Sequence, residues 1–163
     1  MTAFRCIAIP TETAERFRRT DADDRGNPLR HVTAAAAVGF PCRHCLEFAA
    51  PGEMMLLGSY DLPGPQGIYW TPSPIFVHAR RCDRFTADTV APIVARGSLV
   101  SVRAYDAADQ CLYDLGEVSP GPDAPALLER AFADPRTAFV NVHTARPGCL
   151  LSRVERAAGH IAT

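Results

Sequence analysis

Lysine is absent from this 163-residue chain, and every one of its basic residues is arginine. That excludes chemistry that depends on a lysine amine: Schiff-base formation, a P-loop lysine or a lysine general base. Little net charge is present either, at −1, so no broad electrostatic case exists for binding nucleic acid or an anionic membrane. No apolar run approaches the length of a membrane span. The opening Met1-Thr2-Ala3-Phe4-Arg5-Cys6 lacks the apolar stretch of a secretion signal. A cytoplasmic protein is expected. A G-x-S-x-G elbow and glycine-rich phosphate cradles are also missing, as are internal repeats and low-complexity tails.

What is present in quantity is proline, glycine and cysteine. Fourteen prolines and eleven glycines cut the chain into short elements, while hydrophobic residues at 47% suffice for a core. We expect a single domain over 1–163. Strands are predicted at Phe4 to Ile9, Ile75 to His78, Leu99 to Tyr105 and Ala138 to His143. Arg30 to Val38 leans to strand despite its four alanines. A hairpin over Leu46 to Tyr60 is predicted to close at Pro51-Gly52, and a second joins Leu99–Tyr105 to Cys111–Val118.

Helices are predicted over Glu12 to Arg19 and Ala126 to Ala133, the latter stopped by Asp134-Pro135. Another is predicted from a Thr86 cap through Ala95, shortened or kinked by Pro92. Cys149 to Arg156 reads as strand or short helix. Hairpins with a few short helices, lacking regular βαβ alternation, give an α+β fold with a mainly antiparallel sheet.

The cysteines are Cys6, Cys42, Cys45, Cys82, Cys111 and Cys149. In a reducing compartment they are expected to stay as thiols. Pro41-Cys42-Arg43-His44-Cys45 contains a C-x-x-C pair, and His78 with Cys82 has H-x-x-x-C spacing. Cys42, Cys45, His78 and Cys82 would offer zinc three thiolates and an imidazole, a set it takes in tetrahedral geometry. Backbone shape decides whether they can. A turn over 42–45 lets both sulfurs face one ion, whereas a strand turns them to opposite faces. Ordinary buried thiols are the alternative.

A third use is thiol–disulfide chemistry. Cys42-Arg43-His44-Cys45 resembles the Cys-x-His-Cys site of protein disulfide isomerases, but such a site needs a long helix after its first cysteine, and Pro51-Gly52 leaves little room. A fourth centres on arginine: Arg43 and the mid-strand Arg103, with His78 and His143, would suit a small anionic molecule. His31 and His160 receive no role.

Five ordered motifs, Gly39-Phe40-Pro41-Cys42-Arg43-His44-Cys45-Leu46, Pro51-Gly52-Glu53, Ser73-Pro74-Ile75-Phe76-Val77-His78, Ser101-Val102-Arg103-Ala104-Tyr105 and Gly148-Cys149, resemble the bacterial family called domain of unknown function 1203, over about residues 30–156. The resemblance implies a small stand-alone bacterial protein and no assigned activity. It implies a site drawn from Cys42, Arg43, His78, Arg103, His143 and Cys149, with Cys45 and Cys82 as additions in this chain. Joined to the residue reading, it leads us to expect convergence of the Cys42 turn, the His78 strand end and the His143–Cys149 segment. That site would serve catalysis on a small anionic molecule, structural zinc, or ligand binding without turnover. The residues leave the oligomeric state open.

Overall fold

The computed structural model describes residues 4–157, so His160 and the first three residues lie outside it. Antiparallel pairing and short helices give the α+β class expected from the hairpin pattern. The strands form two sheets, and the described residues divide into two compact units, one spanning Ala8–Phe85 and the other combining residues up to Ile7 with those from Thr86 onward. No helix among the described residues is long and apolar enough to cross a membrane.

The Ala8–Phe85 unit begins with α1 (Thr11–Thr20). Pro10 sets the dihedral angle ahead of the first turn. Glu12 near the start and Arg18 and Arg19 near the end complement the helix dipole. Asp21, in left-handed conformation, ends it. Ala14 and Phe17 share the buried face at i, i+3 spacing, and burying Phe17 contributes about 2–3 kcal/mol.

This face packs into a core with Met55, Ile75 and Val77. Those three come from an antiparallel sheet ordered β2 (Arg30–Thr33), β3 (Met54–Tyr60), β4 (Ser73–His78). Two sequence expectations are corrected here. The Arg30–Val38 strand stops at Thr33, because Ala34 turns away to bond the backbone of Gly52 and Glu53. The Leu46–Tyr60 hairpin does not form; β3 pairs instead with β2 and β4, and only Phe48 bridges back to Pro41.

Asp23 holds the polar Asp21-to-Pro28 loop to this sheet. Its carboxylate, 8% exposed, accepts the backbone N–H groups of Arg25, Asn27 and Ser59 at 2.9–3.0 Å and the Asn27 side-chain amide at 2.9 Å. Burial pushes its pKa up, but these donors outweigh burial and hold it below the usual carboxylate value. A depressed folded-state pKa stabilises the fold above the unfolded-state value of about 3.9, and that contribution is lost as pH falls through the folded value. Asp23→Ala is expected to lower stability by about 1–3 kcal/mol near neutral pH, because it orphans the buried donors. Urea melts of both proteins should converge as pH falls through the Asp23 titration. An equal gap at all pH values would refute this role.

In the other unit, β1 (Phe4–Ile7), β5 (Val100–Tyr105), β6 (Glu117–Ser119), β7 (Phe139–Thr144) and β8 (Leu150–Arg156) form one antiparallel sheet ordered β1-β8-β7-β5-β6. Side chains alternate across it. Val100, Val102 and Ala104 of β5, Val140 and Val142 of β7, and Val154 of β8 face α2 (Pro92–Ala95) and α3 (Ala124–Ala133). On that side Phe4 stacks on Phe132 with ring centroids 5.7 Å apart.

The helix expected from Thr86 is only the four residues of α2. Pro92 occupies its first position, where the missing N–H costs nothing, rather than kinking a longer helix. The return arm of the second hairpin is likewise broken: Cys111 bridges Tyr105 of β5, a 3-10 turn at Tyr113–Leu115 interrupts the arm, and pairing with β5 resumes only at Glu117–Ser119. Cys149 to Arg156 resolves as strand, covering Leu150–Arg156.

Candidate metal centre

Residues 43–45 form a turn, with no helix after Cys42. The Cys42 N–H donates to the Glu47 carbonyl at 2.9 Å, and the Leu46 N–H donates to the Cys42 carbonyl at 3.0 Å. Leu46 completes the turn at φ 54° while its side chain is fully buried. The strain of a left-handed leucine is offset by that burial. The turn brings the Cys42 and Cys45 sulfurs within 4.8 Å of each other.

Pairing brings the second half of the set. Cys42 bridges Phe76 in parallel register, with the Arg43 N–H donating to the Phe76 carbonyl at 2.9 Å, so the end of β4 delivers His78 beside the turn. Beyond His78 the chain is irregular but anchored. Arg84 donates to the carbonyls of Ile9 and Ala8 at 3.1 and 2.8 Å, and the Phe85 N–H donates to the His44 carbonyl at 3.0 Å. These anchors return Cys82 to the cluster.

Ligand atoms of Cys42, Cys45, His78 and Cys82 all lie within 4.8 Å of one another. Cys42 Sγ is 3.9 Å from Cys82 Sγ, and Cys45 Sγ is 3.5 Å from His78 Nδ1. Around a tetrahedral zinc ion, with Zn–S about 2.3 Å and Zn–N about 2.0 Å, sulfur–sulfur and sulfur–nitrogen separations are roughly 3.8 and 3.5 Å. These two separations match those values, and the geometry of the cluster as a whole is compatible with a metal ion.

The surrounding groups suit the same use. His78 Nε2 lies 3.2 Å from Glu53 Oε2, leaving Nδ1 toward the sulfurs. A carboxylate behind a histidine is the arrangement that fixes the tautomer and orientation of metal-ligating rings. Glu53 is itself held by Arg80 at 2.5 Å and by the Ala50 N–H at 2.8 Å, and its pKa is lowered chiefly by Arg80. Cys82 accepts from Arg18 at 3.4 Å and lies 3.3 Å from His44 Nδ1, whose Nε2 meets Thr11 Oγ1 at 3.0 Å. Such donors offset the excess negative charge of three thiolates on one divalent ion.

The thiols and the imidazole are within hydrogen-bonding distance of one another. Hydrogen bonds from Cys45, Cys82 and His78 favour the Cys42 thiolate and lower its pKa, while the same contacts with Cys42 and Cys82 push Cys45 up. The His78 ring is pushed up to about 9 by its bonds with Cys42 and Cys82, against the effect of burial. His44 moves the other way, lowered chiefly by burial.

The matching residues now stand in order along the fold: the family model described as Protein of unknown function (DUF1203) covers residues 39–156. The chain belongs to the DUF1203 family. All four clustered ligands lie inside the span matched by DUF1203. Comparison with curated proteins and with solved structures gave no match.

Other sequence candidates fall elsewhere in this DUF1203 chain. Arg43 is 2% exposed and donates to the Pro41 carbonyl at 2.6 Å, outside the four-ligand set. Arg103, His143 and Cys149 belong to the unit with the five-stranded sheet, where His143 Nδ1 lies 2.9 Å from the Gly148 carbonyl. Sequence reasoning assigned no role to Thr11, Arg18 or Glu53. Glu53 stood in the Pro51-Gly52-Glu53 motif, but nothing local linked it to His78, which is 25 residues away.

Proposed function

We propose that this DUF1203 protein binds one zinc ion through Cys42, Cys45, His78 and Cys82, and that the ion is structural. The donor set carries the reading: three sulfurs and one imidazole nitrogen gathered within 4.8 Å of one another, two of their separations matching a zinc tetrahedron, with a carboxylate behind the imidazole. Soft thiolates select zinc over hard cations such as magnesium or calcium. Four protein ligands complete a tetrahedron and leave no position for substrate, which favours a structural over a catalytic ion. Such an ion would tie the 42–45 turn and the loop after β4 together. Cys45, His78 and Cys82 also line an open cavity of about 470 Å³ with Glu15, Arg80 and Arg81, so exchange with solvent has a path.

Elemental analysis of untagged protein tests this directly. One zinc per chain is expected, and cobalt exchanged into the site should give the absorption of a tetrahedral thiolate complex. A metal-free protein whose six thiols all react with a thiol reagent at the same rate before and after chelator treatment would refute it.

A further inference from the structure

A second candidate site lies on the five-stranded sheet, on the face turned away from α2 and α3. A row of polar side chains crosses three neighbouring strands in register there. Arg103 of β5 stands opposite Asn141 of β7, and Asn141 stands opposite Arg153 of β8. With strands about 4.8 Å apart, the two arginine positions flank the amide on either side. The Ser101–His143 pair borders the row on one side, and the stacked Tyr105 and Phe139 rings, centroids 5.0 Å apart, border it on the other.

Two members of the row keep polar groups that no protein side chain satisfies. Asn141 is only 9% exposed, yet its side-chain amide makes no hydrogen bond among the described residues. Its amide atoms are not enclosed, so they remain open to water or to a ligand. Arg103, half-buried in mid-strand, donates from Nε to Ser101 Oγ at 3.2 Å and has no carboxylate partner among the described residues. A half-buried guanidinium without a counter-ion attracts an anion.

Arg153, by contrast, is held in place. Its Nε donates to Glu155 at 2.7 Å, and its guanidinium lies 3.7 Å from the Phe139 ring centroid. A guanidinium carries five N–H donors, so each arginine keeps most of its donors beyond these contacts.

Two cationic donor forks around an amide complement a group rich in acceptors and negative charge. We propose that the Arg103–Asn141–Arg153 row binds a small molecule through a carboxylate or phosphate group. The guanidinium forks match the paired oxygens of either oxoanion, and the Asn141 amide adds a donor and an acceptor between them. This site shares no residue with the metal centre and stands or falls separately from it.

Calorimetric titration of the full-length, metal-replete protein with inorganic phosphate and with succinate, at low ionic strength, tests the proposal. At least one probe is expected to bind with a dissociation constant of about 1 mM or tighter. Phosphate alone would identify a phosphate site, succinate alone a carboxylate site, and both a general oxoanion site. Arg103→Gln and Asn141→Asp should each weaken binding at least about tenfold, the second by placing a like charge in the row. The exposed Arg30→Gln should change nothing. Melting curves confirm that the variants fold. Failure of both probes to bind the unmutated protein would overturn the proposal, and so would undiminished binding in either folded row variant.

Discussion

Replacing Cys42 by serine is expected to strip the metal from the purified chain and lower its melting temperature by roughly 8–16 °C. The magnitude follows from linkage. An ion present at about a thousand times its dissociation constant stabilises the folded state by about 4 kcal/mol. Each kcal/mol shifts the midpoint of a chain this size by about 2–4 °C.

Cys42 is the most consequential of the four ligands because it is fully buried and belongs to the core that contains Phe17, Ile75 and Val77. The substitution alone does not separate lost metal from a hydroxyl placed in that core. Chelation of the unmutated protein makes the separation and should reproduce most of the same drop. If Cys42→Ser destabilises while chelation leaves the melting temperature unchanged, the structural-zinc reading is wrong.

Glu53→Gln supplies the graded comparison. It keeps a hydrogen-bonding group behind His78 but removes the charge, so metal affinity should fall about 10–100-fold while one ion still binds at saturation. Cys111→Ser should leave metal content unchanged, since Cys111 is outside the four-ligand set.

The second large effect concerns the unit that carries the five-stranded sheet. Gly121→Ala is expected to destabilise the protein by about 3 kcal/mol, read as a lower midpoint in urea. A β-carbon at this position would stand 2.3 Å from the Val94 carbonyl oxygen and 2.5 and 2.6 Å from the oxygen and nitrogen of Gly97. All three are backbone atoms, so no rotamer change relieves the clash. The contact is also bonded: the Gly121 N–H donates to the Gly97 carbonyl at 2.9 Å, clamping the turn before α3 against the end of α2. Either the clamp opens or the helices shift on the sheet they cover. Gly116→Ala is the control, because its nearest contact would be an ordinary 3.6 Å, and the change should stay within about 0.5 kcal/mol. Equal midpoints for the two variants would contradict the close approach.

Much of the fold was legible because its signals are local. Alternation over Leu99 to Tyr105 anticipated β5, and the Asp134-Pro135 stop marked the end of α3 after Ala133. Errors arose where a local signal met a distant partner. Leu46 to Phe48 has the composition of a strand arm, but the Cys42 turn and the left-handed Leu46 divert it. Ala35 to Ala37 suit helix or strand by propensity, and the structure uses neither, since Ala34 is already tied to the turn at Gly52. Pro92 was recognised as a helix disruptor, yet whether it breaks a helix or begins one depends on what precedes it.

The candidate site divides along the same line. Residue types and spacings, C-x-x-C followed by H-x-x-x-C, were enough to nominate Cys42, Cys45, His78 and Cys82, because ligand chemistry is a property of side chains. The absence of lysine and of net charge narrowed the chemistry in the same way. Tertiary structure alone decided that 42–45 is a turn, that Glu53 backs His78, that Thr11 and Arg18 serve the cluster, and that Asn141 sits between two arginines. Each depends on hydrogen bonds or strand register between residues far apart in the chain, and local propensity carries no record of which distant strand a residue will face.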